Sequence, residues 1–124
     1  MKICQSTYQS DTWESVRIDE GFSSEKAQLV MVFGERKLFE QMDVYSKVRG
    51  NFPKAEIVIN STAGEIFDAG VETQTIVVTG IEFEETIIKT TEINIKDTSE
   101  SYQSACQIVE ALQADDLVHV MVIS

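Results

Sequence analysis

Two short apolar runs with one amphipathic stretch between them constrain this chain more than any other feature. The first is Gln28-Leu29-Val30-Met31-Val32-Phe33-Gly34. Its shortness and its β-branched content predict a strand buried on both faces. Over residues 35–51 the pattern becomes helical. Leu38, Phe39, Met42, Tyr45, Val48 and Phe52 recur at steps of three and four, which places them on one stripe. Asp43 is positioned to interrupt the run as the N-cap of a second short helix. Gly50-Asn51 and Pro53 supply the stop. Residues 55–60 read as the next buried strand. Strand, helix and strand in this order predict a βαβ unit with a parallel pair and a right-handed crossover.

The flanks carry weaker patterns. Lys2 to Tyr8 reads as a short first strand. Residues 9–26 are polar and irregular, with Trp13, Val16 and Ile18 as the large apolar anchors, and fit a loop or a short helix. Residues 74–83 alternate loosely around Gly80. Residues 86–96 alternate cleanly. Ile87, Thr91, Ile93 and Ile95 share one face, and Glu92, Asn94 and Lys96 the other, which predicts a half-exposed strand suited to antiparallel pairing. Glu84-Glu85-Thr86 is its candidate hairpin connection, without a glycine. Thr98-Ser99 then caps a helix to about Gln113, with Tyr102, Ala105, Cys106, Ile108, Val109 and Leu112 as its apolar stripe. Leu117 to Ile123 reads as a final apolar strand. The expected architecture is one α/β domain over residues 1–124, with a mixed, mainly parallel sheet flanked by helices.

Charge narrows the partners. The formal net charge is -11 over 124 residues. Binding a duplex depends on Lys and Arg displacing counterions, so nucleic acid is excluded as a partner. An anionic membrane surface is disfavoured for the same reason. No cationic segment followed by an apolar run opens the chain, and no stretch is long enough to span a bilayer, so a cytoplasmic location is expected. Cys4 and Cys106 are far apart and lack CxxC spacing. They read as two buried free thiols rather than a zinc or redox pair.

One local motif stands apart. Asn60-Ser61-Thr62-Ala63-Gly64-Glu65-Ile66-Phe67 follows the second apolar run directly. Thr62 to Glu65 fits a capping box, in which the threonine hydroxyl accepts from the glutamate N–H and the glutamate reaches back. That reading starts a helical turn at the carboxyl end of a strand, where free N–H groups favour a carboxylate or another anion. Gly64 would let a ligand approach the backbone, and a glutamate aimed into a pocket favours an amine or a zwitterion. The bland alternative is a corner that binds nothing.

These segments, from AQLVMVFG through NFPKAEIVINSTAGEIF to VVTGIEFEETIIKTTEINI, resemble the N-terminal part of the FIST domain. The likeness runs from about Gln28 to the end of the chain, and its most specific piece is Ser61 to Ile66. In many family members Gly-Cys precedes that piece. Here Ile59-Asn60 stands there, so any chemistry of that cysteine is not carried over. The resemblance implies a sensory domain of bacterial signal transduction. It would bind a small molecule, amino acids among the implied ligands, and signal to a kinase, cyclase or chemotaxis module. The family's domain continues into an Asp-Gly-Leu-type loop and a C-terminal half. This chain is therefore expected to be an incomplete N-terminal segment of a larger two-part sensor domain.

The expected function is non-catalytic ligand sensing, with Asn60, Ser61, Thr62, Gly64 and Glu65 as the ligand-facing group. A protein–protein interaction module with an acidic docking face is the alternative. A haem-based gas sensor is the third, because some relatives resemble haem-binding nitric-oxide sensors. His119, the one histidine, would be the axial ligand. A core or sheet-edge histidine with one hydrogen bond is its structural alternative. No GxSxG elbow surrounds Ser61, which argues against a serine hydrolase. Asp19-Glu20, Glu82-Glu84-Glu85 and Asp115-Asp116 lack calcium-loop spacing and read as solvated faces and turns.

Overall fold

The computed structural model describes residues 1–67, 70–72 and 74–123. The chain divides into two compact units, Met1–Ile87 and Ile88–Ser124. The first contains β1 (Lys2–Gln9), β2 (Thr12–Ile18), β3 (Leu29–Glu35), α1 (Arg36–Gln41), α2 (Val44–Asn51), β4 (Glu56–Thr62), β5 (Glu65–Phe67), β6 (Gly70–Glu72) and β7 (Ile76–Glu82). The second contains a single 3-10 turn, Thr98–Glu100, leading into α3 (Ser101–Leu112).

The βαβ unit forms as the sequence predicts. β3 and β4 are parallel neighbours, with Val30 opposite Ile57 and Phe33 opposite Asn60. The helical stretch breaks at Asp43, whose carboxylate accepts the Ser46 N–H at 3.0 Å and caps α2. Val48 and Phe52 are buried and Leu38, Phe39 and Met42 pack against the same core. Tyr45 leaves the expected stripe for solvent, and Val44 takes the buried position.

The sheet order is β2-β1-β7-β3-β4. It is mixed, but mostly antiparallel rather than mainly parallel. β7 runs antiparallel to both β1 and β3, and β1 is antiparallel to β2, so β3–β4 is the one parallel pair. The reason is connection length. Parallel neighbours need a long crossover, and α1 with α2 provides the one such crossover in this sheet. Residues 9–26 correct the loop-or-helix expectation, because β2 lies among them. Ser10 and Asp11 both take positive φ, 49° and 62°, and close a two-residue hairpin between Gln9 and Thr12. Tyr8 and Trp13 then face each other across the ladder with ring centroids 5.2 Å apart.

The core lies between one sheet face and the helices. Val30, Val32, Ile76 and Val78 meet Val44, Val48, Phe52 and Ala55. Gly80 is where β7 admits the helix-terminal ring. A Cβ there would sit 2.6 Å from Phe52 Cε1 and 3.0 Å from Cys4 Sγ, so a side chain would have to displace the Phe52 ring. β3 and β4 are less buried than expected. Leu29, Met31 and Phe33, on the other face of β3, are half-buried, and β4 is a sheet edge with Glu56, Ile59 and Ser61 exposed.

After β7, neither 86–96 nor Leu117–Ile123 forms a strand, and Glu84-Glu85-Thr86 is not a hairpin. The helix forms as expected, but Thr98 and Ser99 lie in the 3-10 turn before it and do not cap it: Asp97 caps that turn, accepting the Ser99 N–H at 2.8 Å, and α3 itself starts after Glu100 with no side-chain cap. An aspartate competes well for this role because its carboxylate also complements the positive end of the turn. No helix among the described residues is long and apolar enough to cross a membrane.

Candidate functional site

The NSTAGEIF stretch does not start a helix. Asn60, Ser61 and Thr62 are the last three residues of β4, Ala63 and Gly64 bend, and Glu65 opens β5. β5 pairs with β6, Glu65 opposite Glu72 and Ile66 opposite Val71. The capping box therefore has no helix to cap. Ile66, Phe67, Gly70 and Val71 follow it, all weak helix formers, and the cost of nucleating a turn goes unrecovered. Asp68, Ala69 and Thr73 lie outside the described residues, as do the side chains of Glu65 and Ile66.

Pairing still carries the motif to the carboxyl end of the parallel pair. Ser61 lies opposite Gly34, and Thr62 opposite Glu35, the last residue of β3. Ser61 is exposed, while Asn60, Thr62 and Gly64 are half-buried. That end of the sheet is where open α/β folds place ligands.

Beside it opens a cleft of about 340 Å³. Its first wall is the β1–β2 turn, with Tyr8, Gln9, Ser10 and Asp11. The second is the junction of β3 and α1, with Glu35, Lys37, Leu38 and Gln41, and Gln74 closes it. None of Asn60, Ser61, Thr62, Gly64 or Glu65 lines the cleft. Two hydrogen bonds set its frame. The Tyr8 hydroxyl donates to Asp11 Oδ1 at 2.9 Å, which pulls the turn against the strand it leaves. The Glu35 N–H donates to the Thr75 carbonyl at 3.1 Å, which ties the end of β3 to the entry of β7. The Tyr8 hydroxyl is pushed up from its ordinary pKa, first by its bond to the Asp11 carboxylate, since ionising it would lose that bond.

Among the described residues, Ser10, Asp11 and Gln74 are the non-glycine residues at positive φ, and all three line this cleft. The hairpin accounts for the first two. Gln74, at φ 57°, turns the chain into β7 immediately before Thr75. Such backbone is costly away from glycine and concentrates where a fold holds a shape for function. Sequence reasoning missed this cleft. Its one legible trace was Ser10-Asp11, a pair in which aspartate tolerates the left-handed region.

The other candidates fall elsewhere. His119 is exposed in a stretch without regular structure, so it is not the core or sheet-edge histidine expected as its structural alternative. No group of three or more His, Cys, Asp and Glu among the described residues could hold a metal ion. Cys4 is half-buried, and burial raises its thiol pKa, but Cys106 is exposed on α3, contrary to expectation. Glu82 is also not on a solvated face. It is 8% exposed and accepts the Ser23 N–H at 2.8 Å, which satisfies a carboxylate at the sheet margin. Glu84 is exposed, and its pKa is lowered by the hydrogen bond from the N-terminal ammonium, 2.9 Å away.

The FIST N domain family model matches residues 28–124. No curated protein and no solved structure matches the chain.

Proposed function

The chain belongs to the FIST N domain family, a sensory and signal-transduction family, and from that premise we propose that it is a non-catalytic domain that senses a small molecule. The observation that carries the reading is the coincidence of two things at one end of the sheet. The family's most specific motif, Ser61 to Ile66, reaches the carboxyl end of β4, and the polar cleft opens beside its β3 partner Glu35. The ligand lodges at that end. Asn60, Ser61, Thr62, Gly64 and Glu65 contribute hydroxyl, amide and backbone groups to its polar head. Occupancy shifts a conformational equilibrium read by a kinase, cyclase or chemotaxis partner, which requires that the ligand bind the two states with different affinity.

A thermal-shift screen with amino acids, small carboxylates, polyamines and haemin tests this. A ligand at about a hundred times its dissociation constant adds roughly 2.7 kcal/mol, enough to raise the midpoint by several degrees. The rise should shrink in Thr62→Ala. A folded chain that responds to no compound would sink the proposal.

One observation favours a second reading, an interaction module. On α3, Tyr102 is 83% exposed and Val109 65%, on a chain of net charge -11. Such a surface suits a partner with an apolar patch rimmed by basic residues. Its signature is a captured partner whose affinity falls as salt rises.

A further inference from the structure

We infer that the outer face of α3 docks a basic amphipathic helix of another protein. That helix lays its apolar stripe over Tyr102, Ala105, Cys106 and Val109 and brings a lysine or arginine to the carboxyl end of α3. The inference rests on the interaction reading and specifies the partner's chemistry.

α3 buries one side and leaves an apolar stripe outside it. Ser104 is buried, and Ile108 and Leu112, one and two turns on, are half-buried on the same side. Tyr102, Ala105, Cys106 and Val109 stand at i, i+3, i+4 and i+7, the spacing of one helix face, and all four are exposed. A face that only meets solvent carries charged or polar residues at such positions, and this one carries none. Ala105 and Cys106 are small and lie between the larger Tyr102 and Val109. The side-chain rows of a facing helix fill relief of this kind.

The charge around the face has one sign. All 10 lysines and arginines of the chain lie at or before Lys96. From there on stand Asp97, Glu100, Glu110, Asp115 and Asp116, all exposed. Among the described residues none of the five forms a salt bridge. Asp97 and Glu100 precede the helix, where its dipole favours negative charge. The other three stand at the wrong end. Glu110 is in the last turn, and Asp115 and Asp116 follow in a turn closed by the Leu117 N–H on the Ala114 carbonyl at 3.2 Å. The carboxyl end of a helix already carries free carbonyls and partial negative charge. α2 meets that need within this chain. Arg49 in its last turn donates to the carbonyls of Phe52, Pro53 and Ala55, the last at 2.8 Å. The last turn of α3 has no basic residue. A cation on the partner takes the place at α3 that Arg49 takes at α2. The same face of a second copy is acidic too, and a net charge of -11 sets two copies against each other.

The test uses this chain with three fluorescent peptides. One is a helix-forming leucine–lysine peptide with its leucines on one face. The second has the same composition with the leucines dispersed, and the third replaces lysine by glutamate and keeps the leucine face. Anisotropy is read at low and at high salt, with the rate of maleimide labelling at Cys106. The first peptide should bind, slow the labelling severalfold and weaken as salt rises. The other two should bind at least about tenfold more weakly. Val109→Glu adds negative charge but breaks the stripe, and should cost about tenfold in affinity for the first peptide. Tyr102→Ala, at a second exposed position, should do the same, and circular dichroism checks that both variants keep α3. Glu110→Gln should cost about twofold to threefold and flatten the salt dependence. Glu14→Gln, on β2, should change nothing. Equal binding of the dispersed peptide, or undiminished affinity in both stripe variants, overturns the inference. A dimer in sedimentation that Val109→Glu dissociates gives the face to a second copy, which overturns the inference and leaves the interaction reading intact. Capture by phosphatidylcholine vesicles that Val109→Glu abolishes gives the face to lipid and overturns both. Failure of every probe to bind, with Cys106 labelled at one rate throughout, also overturns both.

Discussion

The two units carry the same kind of pattern and do different things with it. In the first, the alternating apolar residues of β3 and β7 become a ladder, with Val30, Val32, Ile76 and Val78 closed against the helices. The run 86–96, which starts at the end of the first unit and lies mostly in the second, alternates more cleanly than either, yet forms no strand, and Ile87, the last residue of the first unit, is 85% exposed. Alternation says which face each side chain would take. It does not supply an edge with unpaired N–H and C=O groups in the right register, and a strand exists only when such an edge is met. β3 has β7 on one side and β4 on the other. Each of these is delivered by a connection the chain itself encodes.

Hydrogen exchange gives the largest contrast. Amides of β3 and β7 should be protected by several orders of magnitude, approaching the global stability, and those of 86–96 and 117–123 should exchange near the free rate. Strong protection over 86–96 would show that this segment finds a pairing partner in solution and would break the contrast.

Truncating one valine in each unit sharpens it. Val32 is fully buried, so Val32→Ala should cost roughly 1–3 kcal/mol in chemical denaturation, from lost transfer energy and the cavity left behind. Val109, exposed on α3, should change stability by less than about 0.5 kcal/mol when replaced by alanine. A large cost at Val109 would mean that its face is covered in solution.

Each unit also holds one cysteine. Cys4 is half-buried, with its thiol pKa raised by burial, so little of it is thiolate near neutrality. Cys106 is exposed. Maleimide labelling followed by mass spectrometry should modify Cys106 well ahead of Cys4, and the reverse order would contradict the placement of β1 against Phe52.

The smallest effect is in the caps. Asp43 accepts from the Ser46 side-chain and backbone groups and Asp97 from those of Ser99, and these bonds lower both carboxyl pKa values. A lowered folded-state pKa means the contribution is present above the ordinary carboxylate pKa and is lost as pH falls through the lowered value. Acid should therefore fray the start of α2 and the 3-10 turn that leads into α3, seen as faster exchange of the Ser46 and Ser99 amides. Asp97→Asn should retain the cap and remove its pH dependence, because asparagine caps without ionising. Persistence of the acid effect in that variant would assign it to another group.

The candidate site was legible only in part. The placement of Ser61 and Thr62 at the carboxyl end of a strand could be read from the run before them, because an apolar run ending in small polar residues marks that boundary. The capping box misled, since its four residues fit a helix start and a bend between strands equally well. The next six residues, with their β-branched side chains and glycine, decided for the bend. Asp11, Glu35 and Gln74 were invisible as a group because no spacing relates them. Residues 11, 35 and 74 meet only when β1, β3 and β7 lie side by side.

What local sequence determined is therefore whatever depends on neighbours a few positions away. The βαβ order, the break at Asp43, the stop after Asn51 and the helix over 101–112 all follow from turn chemistry, capping and helical spacing. What only the tertiary structure decided is which strands pair and in which direction. β7 enters between β1 and β3 and makes the sheet mostly antiparallel, and the cleft exists because of that insertion. Pairing brings together residues dozens of positions apart, and its free energy depends on edges and faces that no single segment contains.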